Sequence, residues 1–249
     1  MIKFKSIKTQ LILFLICFAI FLSLKNKDGA FLFAIAIAVI SALVIESVIL
    51  YFKTKTLQIT ESSIITGLIV GYVLSSDEAW WRFALASLLA ILSKYLIRLQ
   101  KKHIFNPAAF GIFLTLIIFG VSTQWQGTYI WYILLPFGFY FGHKIRKIEI
   151  LIGYAVVALA SFGIQAMLQK AALWHIFGYL SYFFIFIMLI EPLTSPIKPM
   201  GKFIFGACVA GVIFVLSELG AKFDVELFSL LAMNFTVSLF NKLLPKKGA

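Results

Sequence analysis

Charge is scarce in this chain, and polar sequence is scarcer still. Only 13% of its 249 residues are Asp, Glu, Lys or Arg, against 62% that are hydrophobic. A soluble domain of that mixture would carry far more apolar surface than its interior could hide. No polar block reaches about forty residues, so nothing in the sequence is long enough to fold as a soluble domain of ordinary size. Cysteine is limited to Cys17 and Cys208, each inside an apolar run. That excludes a disulfide framework, and the lack of any close Cys/His spacing gives no indication of a metal site. Nucleophile motifs and phosphate-binding glycine loops are also missing.

What remains is a series of apolar runs joined by short polar links. They fall at about Leu11–Leu24, Ala30–Phe52, Ser62–Leu74, Ala79–Leu99, Pro107–Val121, Thr128–Phe141, Ile150–Leu168, Leu173–Ile190, Phe203–Leu219 and Val225–Leu239. Ten runs of this kind predict an all-α integral membrane protein, a single membrane domain over 1–249. The third, fifth, sixth and tenth are well short of the roughly 20 residues that a straight spanning helix needs. Short, tilted or broken helices are therefore expected, with non-helical backbone at membrane depth only where it is buried in protein or lines a cavity. The first run is followed by Lys25-Asn26-Lys27-Asp28 and not by a small-residue cleavage site, so it is expected to be a retained helix.

Ten spans place alternate links on opposite sides of the membrane. Seventeen of the twenty-two basic residues then share the side of the amino terminus, and the other side receives Lys25, Lys27, Arg82, Lys170 and Lys222 with six of the ten acids. By the positive-inside rule both termini are cytoplasmic in a multi-pass protein of the cell (cytoplasmic) membrane. The net charge of +12 is thus a topology signal. Nucleic acid is excluded as a partner, since its binding needs a basic soluble face that this chain lacks; the lipid bilayer is the expected surrounding.

Sliding the sequence on itself by 120 residues lays Arg82–Ile91 over Lys202–Gly211, Tyr72–Asp77 over Pro192–Ile197 and Asn106 over Glu226. Each half, about 1–125 and 126–249, holds five runs. Two halves with an odd number of spans must be inverted in the membrane, an arrangement that forms sites near the midplane from broken helices.

Four places stand out. Glu46 lies within Ala30–Phe52 with no charged residue nearer in sequence than Lys53; a carboxylate there must be protonated, paired or hydrated, and it is either functional or a hydrogen-bonded structural group. Asn106-Pro107 opens the fifth run as a helix start, with Asn as cap and Pro in the first turn, and beside Lys101, Lys102 and His103 the free amides also suit an anion or an electron-rich carbonyl. Glu191–Lys202, with three prolines and a glycine, is either a plain polar loop or a re-entrant segment facing Glu191, Thr194 and Ser195 into a cavity; Leu74–Trp81 is its irregular counterpart. Asp224 and Glu226 open the last run, where carboxylates complement the helix dipole. The five tryptophans fall near run boundaries, as interfacial anchors more readily than as flavin- or quinone-stacking rings. His103, His143 and His175 read as solvated interfacial residues.

With these segments in hand, the sequence resembles the NqrB/RnfD family, membrane subunits of sodium-pumping quinone reductases and Rnf electron-transport complexes. The resemblance rests on Ser41–Lys55, Ser62–Gly71, Trp80–Leu96, Phe105–Gly111 (FNPAAFG), Glu191–Gly211 and Phe223–Asn234, in order along nearly the whole chain. It implies about ten helices in two inverted five-helix repeats, similar to urea-transporter-like channels, and a place in a flavin-using electron path coupled to Na+ or H+ movement. It also implies an ion pathway through Glu46 and Asp224 and cofactor contacts at Thr66, Lys94, Asn106, Pro107, Glu191, Thr194 and Ser195.

One departure bears on the cofactor. Family members carry a longer loop after the fifth span, with a small-small-Thr motif whose threonine is esterified by FMN. Here that link is Gly120–Thr128, and Thr123 is followed by Gln124. No covalent FMN is expected; a flavin, FMN or riboflavin, would be held non-covalently. The glycine-rich turn that usually precedes the Asn-Pro step is replaced by Ile97–His103. The chain has no complete redox site of its own. It is expected to act as a non-autonomous subunit of an oxidoreductase or translocase, beside other subunits of a membrane redox complex or a soluble flavin or iron–sulfur reductase. Two other readings stay open: a small-molecule or flavin transporter on the same inverted-repeat fold, and a membrane anchor for a soluble oxidoreductase.

Overall fold

The computed structural model describes residues 6–99 and 102–243. Lys3, Lys5, Lys101, Lys246 and Lys247, which contribute to the charge asymmetry, lie outside the described residues, as does the side chain of His175. The chain forms two compact units, Met1–Gly127 and Thr128–Ala249.

In the first unit α1 (Ile7–Asn26), α2 (Gly29–Thr54), α3 (Glu61–Val73), α4 (Trp80–Leu96) and α5 (Pro107–Phe119) follow one another, with β1 (Arg98–Leu99) and β2 (Lys102–His103) between α4 and α5. Several starts are chemically marked. Ser6 caps α1, Asp28 accepts from the Phe31 amide to cap α2, and Thr60 accepts from the Ser63 amide to cap α3. Lys27 and Lys55 end α1 and α2 in the left-handed conformation. The first turn of α1 is tied to α3 by Ser6 and Thr9, whose hydroxyls both donate to Glu61.

Helices α3 and α5 have 13 residues each, about 20 Å of rise, less than a hydrocarbon core of roughly 30 Å. The carbonyls orphaned at the end of α3 are met by the segment that follows α5. The Gln126 amide donates to Tyr72 O and the Gln124 amide to Val73 O, both at 2.8 Å, while the Ser75 amide donates to Ser122 O at 3.1 Å. Leu74 and Thr123 form an antiparallel bridge there. Non-helical backbone is thereby satisfied internally. Glu78 closes the same region: it accepts from the Ser122 amide and hydroxyl and from Arg82.

Close packing within the unit depends on glycine at one helix pair in particular. A Cβ at Gly111 would stand 2.2 Å from Ala86 O, so α5 meets the backbone of α4 directly. Helix α2 packs on both α3 and α4, and its other face presents Phe33, Ile40, Val44 and Val48 outward, as a lipid-facing helix should.

The second unit contains α6 (Trp131–Lys144), α7 (Ile148–Leu168), a 3-10 turn (Leu173–Gly178), a π-helical turn (Phe184–Met188), α8 (Pro199–Glu218) and α9 (Val225–Leu243). Helices α7 and α8 meet backbone to backbone: a Cβ at Gly153 would lie 2.1 Å from Phe203 O, and one at Gly206 2.1 Å from Ile150 O. The eighth apolar run, Leu173–Ile190, is not one helix. It breaks between the 3-10 and π turns, and Phe186 of the π turn sits against Gly138 of α6, where a Cβ would come within 2.1 Å of its ring. The tenth run is longer than its hydropathy suggests, since α9 has 19 residues.

Among the described residues the fold is all-α apart from the two-residue strands β1 and β2, which pair antiparallel before Asn106, and the isolated bridge above. Among the described residues α1, α2, α7 and α8 are long and apolar enough to cross a membrane by length and composition.

At the openings of α5 and α9 the two units share a local design that the 120-residue offset blurs. Asn106 accepts from the Ala109 amide at 3.0 Å, and Asp224 accepts from the Leu227 amide at 2.9 Å. Phe105 stacks on Phe110 at 5.6 Å between centroids, and Phe223 meets Phe228 at 5.0 Å. Asn106 therefore corresponds to Asp224, not to Glu226; Phe-Asn-Pro-Ala-Ala-Phe-Gly reads against Phe-Asp-Val-Glu-Leu-Phe-Ser.

Candidate functional site

Glu46 faces α4 two turns before the end of α2 and is buried, 5% exposed. Sequence distance hid its partner. Lys94, itself 7% exposed, places Nζ 3.1 and 3.3 Å from the two carboxylate oxygens. The Tyr95 hydroxyl donates to Oε1 at 3.0 Å and the Thr60 hydroxyl to Oε2 at 2.6 Å. Thr60 works in two directions, since its oxygen also accepts the amide that caps α3. One carboxylate, one ammonium and two hydroxyls from α2, the start of α3 and the end of α4 thus form a neutral, saturated cluster. A carboxylate at such depth is tolerated on these terms. Beyond it, the Lys53 ammonium lies 4.3 Å and the Arg98 guanidinium 5.6 Å from the centre of the Tyr95 ring, both within cation–π range.

The other carried-over residues of this unit are engaged elsewhere. The Thr66 hydroxyl donates to Ser62 O of its own helix at 2.8 Å. Asn106 caps α5, with Pro107 at its first position.

In the second unit Glu191–Lys198 is an irregular segment whose centre is buried, Thr194 and Ser195 each 3% exposed. Its polar groups are met one by one. Ser195 donates to Glu191 O at 2.7 Å and Thr194 to the Glu191 carboxylate at 3.0 Å. Asn234 of α9 donates to Thr194 O at 2.8 Å. The buried Lys147, just before α7, reaches Pro196 O at 2.8 Å and Ser195 O at 3.4 Å. Asn241 accepts from the Ile197 amide at 3.0 Å. The non-helical backbone at its buried centre, Thr194–Pro196, is thus satisfied from within the protein. Lys202 of α8 donates to Arg146 O at 2.6 Å and pairs with Glu149. Asp224, by contrast, serves as the helix cap described above.

Sequence reasoning missed Thr60, Tyr95, Lys147 and Asn234 as members of these clusters. Lys147 counted only toward the charge asymmetry, although a basic residue at a helix start, where the dipole disfavours it, is a signal that something else holds it. Tyr95 and Asn234 sit inside the segments that carry the family resemblance.

Within either unit Thr66, Lys94, Asn106 and Pro107, or Glu191, Thr194 and Ser195, are engaged in capping, pairing and loop closure, and they do not converge on one cradle. Among the described residues no three His, Cys, Asp or Glu side chains come close enough to share a metal ion.

A search of curated proteins found no match. The sequence model of the NQR2, RnfD, RnfE family matches residues 2–129 and again 127–248, together nearly all of the chain. The chain belongs to the NQR2, RnfD, RnfE family, and is a multi-pass protein of the kind that serves as a membrane subunit of electron-transport complexes.

Proposed function

We propose that this chain is a membrane subunit of a flavin-dependent electron-transport complex of the cytoplasmic membrane. In this reading it has two inverted five-span halves and cytoplasmic termini, and Glu46 belongs to the path by which redox chemistry is coupled to Na+ or H+. The flavin, if held by this chain, is held non-covalently.

The observation that carries the proposal is the Glu46 cluster. A carboxylate saturated by one cation and two hydroxyls has two stable uses. It can exchange its ammonium partner for a proton or a sodium ion when Lys94 moves away, or it can simply fasten α2 to α4. Its depth within an apolar helix, where a carboxylate is costly to keep, supports the first use.

A paired variant separates them. Glu46→Gln with Lys94→Met removes both charges together, leaving neither stranded. Ion or proton uptake is measured with the assembled complex in proteoliposomes. A stable double variant that transfers electrons without uptake supports the ion path; full coupled uptake assigns Glu46 to fastening alone.

A further inference from the structure

The end of the α2–α4 pair carries more positive charge than its own carboxylate answers. Glu46 is neutralised by Lys94, and among the described residues no carboxylate pairs with Lys53 or Arg98. Both cations lie against the same Tyr95 ring, which puts them within about 10 Å of each other. Exposed apolar side chains flank them in the chain: Phe52 is 71% exposed and Leu96 75%.

The same two helices frame an open apolar groove of about 580 Å³, lined by Ile40, Ser41 and Val44 of α2 and by Trp81, Leu85 and Leu88 of α4. Trp81, Leu88 and Tyr95 recur every seven residues and therefore share one stripe of α4. Leu88 stands about 10 Å along the axis from Tyr95, inside the roughly 15 Å depth of one hydrocarbon leaflet. A ligand with its head at Tyr95 would meet the groove with its tail.

We infer that Lys53 and Arg98, set about the Tyr95 ring, hold the phosphate head of an anionic phospholipid, with one acyl chain reaching the Leu88 end of the α2–α4 groove. Two cations set around a ring provide the charge complement for a phosphate. The apolar rim and the groove below favour a lipid over an acidic soluble protein, which would have to cover Phe52 and Leu96 without burying its own charge.

The test uses the full chain in nanodiscs of phosphatidylcholine with increasing long-chain phosphatidylglycerol, and reads the melting midpoint. The midpoint should rise and saturate at a low fraction of phosphatidylglycerol. Lys53→Gln with Arg98→Gln should raise the half-saturating fraction about 25-fold, at about five-fold for each cation removed. Lys25→Gln with Lys27→Gln, at the other end of α2, should leave it unchanged. Leu88→Trp, which fills the groove and spares the charges, should abolish the advantage of long-chain over short-chain phosphatidylglycerol. The inference is overturned if phosphatidylglycerol does not move the midpoint, or if the Lys53/Arg98 variant responds as wild type does. It is equally overturned if glycerol phosphate or inorganic phosphate alone gives the whole shift, or if soluble polyglutamate exceeds the lipid.

Discussion

Removing Lys94 alone should damage this protein more than removing Lys94 and the charge of Glu46 together. Lys94→Met leaves a carboxylate buried with only the Tyr95 and Thr60 hydroxyls to answer it. An uncompensated buried charge costs about 3–5 kcal/mol. Glu46→Gln keeps the shape and both hydroxyl contacts but leaves the Lys94 ammonium, 7% exposed, facing a neutral amide; a cost of similar order follows from the same argument. The double variant strands neither charge. Two hydroxyls still find an amide, and a thioether-bearing chain fills the volume of the lysine stem, so its stability should lie within about 1 kcal/mol of wild type. The assay is a double-variant cycle on the purified full chain in one detergent, by denaturant or thermal unfolding. Costs that simply add, or single variants each within about 0.5 kcal/mol of wild type, would refute the claim that the pair is a buried, mutually dependent unit.

Gly153→Ala and Gly206→Ala should each destabilise the protein by about 1–3 kcal/mol. Their combined effect should be less than the sum, because both push on the α7–α8 contact where carbonyls lie 2.1 Å from the new Cβ; melting midpoints of the three variants check this. Glu78 gives a pH signature. Burial pushes its carboxyl up, but hydrogen bonds from Ser122 and the bond and charge of Arg82 outweigh that and hold it below its ordinary value. Its contribution is therefore fully present above about pH 4.5 and is lost as pH falls through the depressed pKa. A melting midpoint followed from pH 7 to pH 3.5 should drop in wild type more steeply than in Glu78→Gln, and parallel curves would contradict the assignment. Single cysteines at the exposed Asp77 and Lys144 should react with an impermeant label from opposite sides of the membrane. Lys147 is unsuited to that experiment because it is buried.

Hydropathy and charge alone determined that this is an all-α membrane protein and where most of its helices run, because the cost of exposing apolar side chains to water or charge to lipid depends on composition within a short window. The Asn106 cap before Pro107 was equally legible, since it acts through a bond that spans three residues; Asp224, readable only as a dipole partner, caps in the same way. The eighth run defeated such reasoning: its hydropathy is continuous, yet it breaks between a 3-10 turn ending at Gly178 and a π turn starting at Phe184. The pairing of Glu46 also lay beyond the sequence. Forty-eight residues separate Glu46 from Lys94, and only the packing of α2 on α4 decides that the nearest cation in space is not Lys53, the nearest along the chain. Likewise the irregular character of Glu191–Lys198 was visible in its prolines, but what keeps it buried is supplied from outside it, by Lys147 and Asn234. Local energetics act on neighbours in sequence; the satisfaction of buried polar groups is settled among neighbours in space.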